Sequence, residues 1–114
     1  MPLNRALFAV DVEGNGVSPP DLVGVAAPGV RDGRPDKSTA RAWLTRPKRP
    51  VTPFAAHVHG LTTKDLEDKP GWDETKGAVH ELLSAAWIAA HNAHYRVLSA
   101  RLPQRKPAGV IDML

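Results

Sequence analysis

Apolar residues in this chain fall into short runs whose spacing shifts from strand-like to helix-like and back. Ala6 to Val12 is mostly apolar, too short for an ordinary helix and long enough for a buried strand. Gly14-Asn15-Gly16 and then Ser18-Pro19-Pro20 force a turn after it. Leu22 to Ala27 predicts a second strand. Arg31-Asp32-Gly33-Arg34-Pro35 carries the Asp-Gly signal of a hairpin into a third, Ser38 to Thr45. Three strands joined by tight turns predict an antiparallel meander.

Beyond Thr45 the pattern changes. Pro47 to Pro53 is a proline-rich, basic connector, and Ala55 to Leu66 predicts short helical pieces around His59-Gly60-Leu61, with Thr62 or Thr63 as a cap. Pro70-Gly71 breaks the chain again. A helix is expected from Asp73, where Asp73 and Glu74 suit the positive end of the helix dipole. Ala78, Val79, Leu82, Leu83 and Ala86 recur at helical spacing and form its apolar face. Trp87 to Ala90 predicts a compact strand, Tyr95 to Leu102 a helix, and Gly109 to Asp112 a fifth strand. The order βββ-α-β-α-β predicts an α/β domain with a mixed sheet. Trp72 and Trp87 are expected in the core, Trp43 in the meander, and His80 facing solvent.

At 114 residues the chain suffices for one compact domain, here 1–114, and its eleven prolines gather in the connectors. No apolar run approaches the ~18 residues that span a bilayer, so no membrane partner is expected. Cysteine is absent, which removes disulfides and thiolate metal sites and fits a cytoplasmic protein. The formal charge of +3 is unevenly placed, with Arg46, Lys48 and Arg49 in one loop and Arg101, Arg105 and Lys106 in another. Such loops can hold a phosphate backbone, or can simply be solvated connectors. Charge alone does not choose between them.

Asp11 and Glu13 carry the most chemical information. They close the first predicted strand, and residues two apart on a strand share a face. Adjacent carboxylates repel unless a cation lies between them or one takes up a proton. The pair is therefore either a divalent-metal site, whose hard oxygens suit Mg²⁺ or Mn²⁺, or a solvent-exposed strand end. Ligand sites in open α/β sheets lie at the carboxyl ends of strands, where glycines let a substrate approach the backbone.

Phe8-Ala9-Val10-Asp11-Val12-Glu13-Gly14-Asn15-Gly16 resembles the first motif of the DEDD (DnaQ-like) 3′–5′ exonuclease superfamily. Further features follow in the family's order. They are the Asp-Gly hairpin, Pro50-Val51-Thr52-Pro53, His59-Gly60-Leu61-Thr62 with Asp65-Leu66, Pro70 before an amphipathic helix, His91-Asn92-Ala93, and Val110-Ile111-Asp112. The resemblance covers essentially the whole chain. It implies a ribonuclease H-like fold with a five-stranded mixed sheet. It also implies two-metal-ion hydrolysis of terminal phosphodiester bonds, as in DNA proofreading, with Mg²⁺ or Mn²⁺ as cofactor. Carried over, Asp11 and Glu13 are catalytic metal ligands. Gly14, Asn15, Gly16, His59, Gly60 and Leu61 hold the terminal nucleotide, and Asn92 orients strand and substrate. The implied partners are a single-stranded DNA or RNA 3′ end and a DNA polymerase subunit.

Two departures weaken the implied chemistry. The family's second motif has an aspartate four residues after its Asn, and here that position is Arg96. Val97-Leu98 also arrives two residues early, as a two-residue deletion would produce. The third motif, a His or Tyr base with the fourth acid, would lie on a helix beyond Leu114, and Asp112 matches a structural position instead. With two of four acids and no base, impaired or absent cleavage by this chain is expected. The competing expectations are a non-catalytic module that binds nucleic acid or a polymerase, and a non-functional fragment. The family's C-terminal helices would be missing, so an uncovered sheet face and self-association are also expected.

Overall fold

The computed structural model describes residues 7–84, 86–90, 92–102 and 109–112. Six strand segments form one sheet: β1 (Leu7–Ala9), β2 (Asp11–Gly14), β3 (Leu22–Arg31), β4 (Arg34–Leu44), β5 (Trp87–Ala90) and β6 (Gly109–Asp112). Phe8 lies opposite Gly29 and Asp11 opposite Ala26, three residues further on one strand and three back on the other. β1 and β2 are thus two halves of one line, and the sheet has five positions in the order β4, β3, β1–β2, β5, β6. β3 and β4 run antiparallel to their neighbours, whereas β5 pairs parallel with β1 and β6 parallel with β5. The expected mixed five-stranded sheet is present.

Local chemistry explains the meander. Asp32 and Gly33 both take positive φ, 53° and 77°, and Arg31 pairs with Arg34 across them. That is a two-residue turn of the type whose twist matches the flanking strands. It carries both strands past the expected bounds, so β3 runs on to Arg31 and β4 starts at Arg34.

Four helices follow: α1 (Pro53–His59), α2 (Thr63–Leu66), α3 (Trp72–Leu83) and α4 (Asn92–Ser99). Thr52 caps α1 through its hydroxyl, which accepts from Ala55 N at 3.2 Å, and Gly60 ends it in a left-handed conformation at φ 79°. Thr62 opens α2 with a reciprocal capping box to Asp65. α4 starts three residues before the expected Tyr95, because Asn92 follows β5 almost at once. Its end tightens into turns, with Arg101 N bonded to Leu98 O at 3.0 Å, so the stretch expected as helix to Leu102 is partly turn.

The core joins Val10 and Val12, Leu22, Val25 and Ala27, Val79 and Leu83 of α3, Ile88 and Ala90, and Leu98 of α4. Each large side chain buried there contributes ~1.5–3 kcal/mol against the entropy of ordering the chain. α3 packs through Thr75, Val79 and Leu83, while Ala78, expected on that face, is exposed. Trp43 and Trp72 pack against the core as expected. Trp87 is half-buried, and His80 is half-buried, 3.4 Å from the Ser84 hydroxyl. Among the described residues no helix is long and apolar enough to cross a membrane.

Candidate functional site

β2 alternates as a half-buried strand should. Val12 is buried, whereas Asp11 is exposed and Glu13 half-buried on the opposite face. Their cross-strand neighbours on β3 are Ala26 and Gly24, and these pair in turn with Ala42 and Leu44 of β4. Ala26 and Ala42 are small beside Asp11, whereas the Leu44 side chain reaches over Gly24 beside Glu13. The register slips between Glu13 and Gly14, whose partners are Gly24 and Leu22, leaving Val23 as an extra residue. That bulge bends the strand where the acid pair ends.

The loop after β2 is held by a dense set of hydrogen bonds. Asn15 is fully buried, with Nδ2 donating to Asp21 Oδ2 at 3.3 Å and to Arg49 O at 3.2 Å. Its Oδ1 accepts from Val17 N at 3.3 Å and Asp21 N at 2.9 Å. Its own N–H donates to Asp21 O, and its carbonyl accepts from Thr52 N at 2.8 Å. Every polar group of Asn15 is thus committed inside the protein. Gly16 has φ 90°, and a Cβ there would sit 2.1 Å from Thr52 Oγ1. The glycine lets α1 approach the loop.

His59 locks α1 to the end of β2. Its Nδ1 accepts from Leu61 N at 3.1 Å, so Nε2 carries the proton and donates to Gly14 O at 2.9 Å. Both ring nitrogens are satisfied by backbone, which leaves the ring faces for any contact with a ligand. Gly60 and Leu61 lie in the turn that this bond fixes.

Arginines from distant segments close the same region. Arg49 donates to both Asp21 oxygens and to Pro19 O, at 3.1, 3.0 and 2.6 Å. Its side-chain hydrogen bonds hold the Asp21 carboxyl below the usual carboxylate range, against the opposing effect of burial. Arg101 reaches Pro20 O and Val97 O, and Arg46 reaches Lys69 O at 3.1 Å. Arg46 and Arg49 remain exposed while making these bonds, so the structure anchors the basic loops without choosing between the two readings. Lys48 is exposed, and Arg105 and Lys106 lie outside the described residues. A cavity of about 350 Å³ among Arg46, Lys48, Trp72, Glu74 and Arg101 is lined by none of the expected site residues.

The structure brings Asp11, Glu13, Gly14, Asn15, Gly16, His59, Gly60 and Leu61 to one end of the sheet. Asn92 opens α4 directly after β5, whose Ala89 carbonyl accepts from Val10 N at 2.8 Å; the Asn92 side chain lies outside the described residues. Arg96, four residues on, is exposed. The carboxylates suit a hard divalent cation in kind but not in number. Among the described residues no group of three or more His, Cys, Asp or Glu could hold a metal ion. Gly24 and Ala26 escaped the sequence reading, because their place beside the acids appears only when β3 is in register.

No protein-family model matches the chain. It is 38% identical over 52 residues to DNA polymerase III subunit epsilon of Pasteurella multocida, covering 46% of the chain and 21% of that protein. It is 30% identical over 98 residues to a DNA polymerase III subunit epsilon-like protein of Rhodobacter capsulatus, covering 82% of the chain and 14% of that protein. The chain thus spans about a fifth or less of these curated relatives. Among solved structures, Exonuclease X in complex with 5′ overhanging duplex DNA superposes with a TM-score of 0.68 at 27% identity. That match covers 92% of this chain and 58% of the other. A moderately thermophilic Exonuclease I from Methylocaldum szegediense gives a TM-score of 0.73 at 14% identity, over 96% of this chain and 28% of that one, a likeness of fold.

Proposed function

The chain is a DnaQ-like domain of the DEDD 3′–5′ exonuclease superfamily, and on that ground we propose that it receives the 3′ end of a nucleic-acid strand against the Asp11–Glu13 face. The observation that carries the proposal is the placement of both acids. They share one face of β2, beside Gly24 and Ala26, at the strand end where the loop and α1 are locked together. Ala26 and Ala42 leave room beside Asp11 for a phosphate and sugar, and the carboxylates would supply oxygens for Mg²⁺ or Mn²⁺. A divalent ion there would polarise water and neutralise phosphate charge. Asp11 and Glu13 would hold and orient that ion. Gly14 and the His59 turn set the wall against which a terminal nucleotide would rest. Further oxygens must come from the phosphate, from water, or from groups outside the described residues.

Arg96 decides how much cleavage to expect. A guanidinium where the family carries a metal-binding acid repels the cation it should attract. We infer that this chain alone holds a 3′ end better than it cuts one, which favours the second reading, a binding module. A polymerase subunit is the proposed macromolecular partner, on the names of the relatives. Self-association through an uncovered sheet face is proposed too, and a monomeric mass by light scattering would refute it.

Calorimetric titration with Mn²⁺, with and without a short oligonucleotide, tests the site. Uptake in the wild type that disappears in Asp11→Ala supports it, and equal heats in both remove Asp11 from it. A parallel assay on a 5′-labelled oligonucleotide with a free 3′ end separates the readings. Binding without shortening marks the module, and shortening that Asp11→Ala abolishes marks the enzyme.

A further inference from the structure

Phe54 is 77% exposed and Val58 63% exposed, one turn apart on the same face of α1. Large apolar side chains held in water on a fixed element mark an interaction surface. This helix is fixed. Ala55, the residue after Phe54, is buried against Gly16, Thr52 N bonds to Asn15 O at 2.8 Å, and His59 bonds to Gly14 O at 2.9 Å. α1 therefore flanks residues 14–16, the stretch that directly follows Glu13.

The chemistry of the face selects its occupant. α1 reads Pro-Phe-Ala-Ala-His-Val-His and holds no acid, and exposed His57 stands between Phe54 and Val58. An exposed aromatic ring on a helix without negative charge, anchored beside the loop that follows the acid pair, matches a planar base of a strand whose end lies at that pair. We propose that Phe54 is a stacking platform for a nucleobase upstream of the 3′ terminus of a single strand, with Val58 closing the side of that platform. The inference rests on the 3′-end reading and extends it. It assigns a residue that fixes the strand's path without touching the acids, and it predicts tolerance of sequence, since every base offers a π-face.

The test uses the full chain, a fluorescent single-stranded DNA oligonucleotide and a low-salt buffer. A companion set of strands carries 2-aminopurine at successive positions from the 3′ end, because its emission is quenched on stacking. Wild-type protein should quench the probe at one upstream position. Phe54→Ala should abolish that quench and weaken binding about 5- to 150-fold, the range expected for one lost base stack. Phe54→Tyr should keep both. An abasic residue at the quenched position should weaken wild type to the level of Phe54→Ala and leave Phe54→Ala unchanged. Exposure of Phe54 makes misfolding of these variants an inadequate explanation, and melting temperatures equal to wild type check it. If Phe54→Ala binds as tightly as wild type with its quench intact, the platform is refuted while the 3′-end reading stands. If wild type binds no oligonucleotide, the 3′-end reading itself fails and the platform falls with it.

Discussion

Asn15→Ala should cost this domain a large part of its stability, although the residue touches neither acid. The side chain is fully buried and makes four hydrogen bonds, to Asp21 Oδ2, Arg49 O, Val17 N and Asp21 N. Three of those partners are backbone groups that the substitution would strand. Each hydrogen bond is worth ~0.5–1.5 kcal/mol net, and water entering the space recovers part of the loss, so about 2–4 kcal/mol is expected. Against a total of about 5–15 kcal/mol this is severe. At ~4 °C per kcal/mol for a domain of this size, the melting temperature should fall ~8–16 °C by circular dichroism. Asn15→Asp keeps the acceptor oxygen but sets a second carboxylate where Nδ2 now lies 3.3 Å from Asp21 Oδ2. It should therefore lose more at pH 7 than at pH ~4, where protonation relieves the repulsion. A melting temperature for Asn15→Ala within ~2 °C of wild type would show that the loop does not depend on this hub.

Gly16→Ala should cost ~2–4 kcal/mol in urea denaturation, because left-handed backbone and collision with Thr52 Oγ1 add together; Gly33→Ala, at φ 77° with open space around it, should cost only ~1 kcal/mol. Arg49→Ala should destabilise most near neutral pH. The Asp21 carboxyl titrates below its ordinary 3.8 in the folded state, so its ion pair contributes above that value and is lost as pH falls through the lowered one. The gap between variant and wild type should then close below about pH 4, and a constant gap would deny the pairing. His59→Phe keeps a ring but loses both backbone bonds. Slower-exchanging amides around Leu61 should lose protection and stability should drop ~1–2 kcal/mol by denaturant midpoint.

Period and turn chemistry made most of the fold legible. Trp87 to Ala90 is a strand to the residue, and Asp32-Gly33 turns as its composition requires. Strand lengths were less legible, since β3 and β4 extend each other by pairing, and no single segment records its partner's register. That Asp11 and Glu13 share one face of a strand could be read from alternation alone. The roles of Asn15 and His59 could not, because their partners lie as far as 34 and 45 residues away in sequence. The backbone partners of the arginines were hidden for the same reason. Charge is visible in a sequence, whereas the carbonyl that fixes a guanidinium's direction appears only in the fold.

β4 forms one rim of the sheet, and among the described residues no strand other than β3 pairs with it. A rim of open amides invites a strand from a neighbouring molecule. Positions 34 and 41 of this rim are exposed arginines, so two copies meeting rim to rim would bring like charges together. That defence is only as long-ranged as the surrounding electrolyte permits, ~10 Å at 0.1 M and ~3 Å at 1 M. Clumping of this chain should consequently rise with added salt, and a buffer chosen to quiet phosphate binding would be the one that unmasks it.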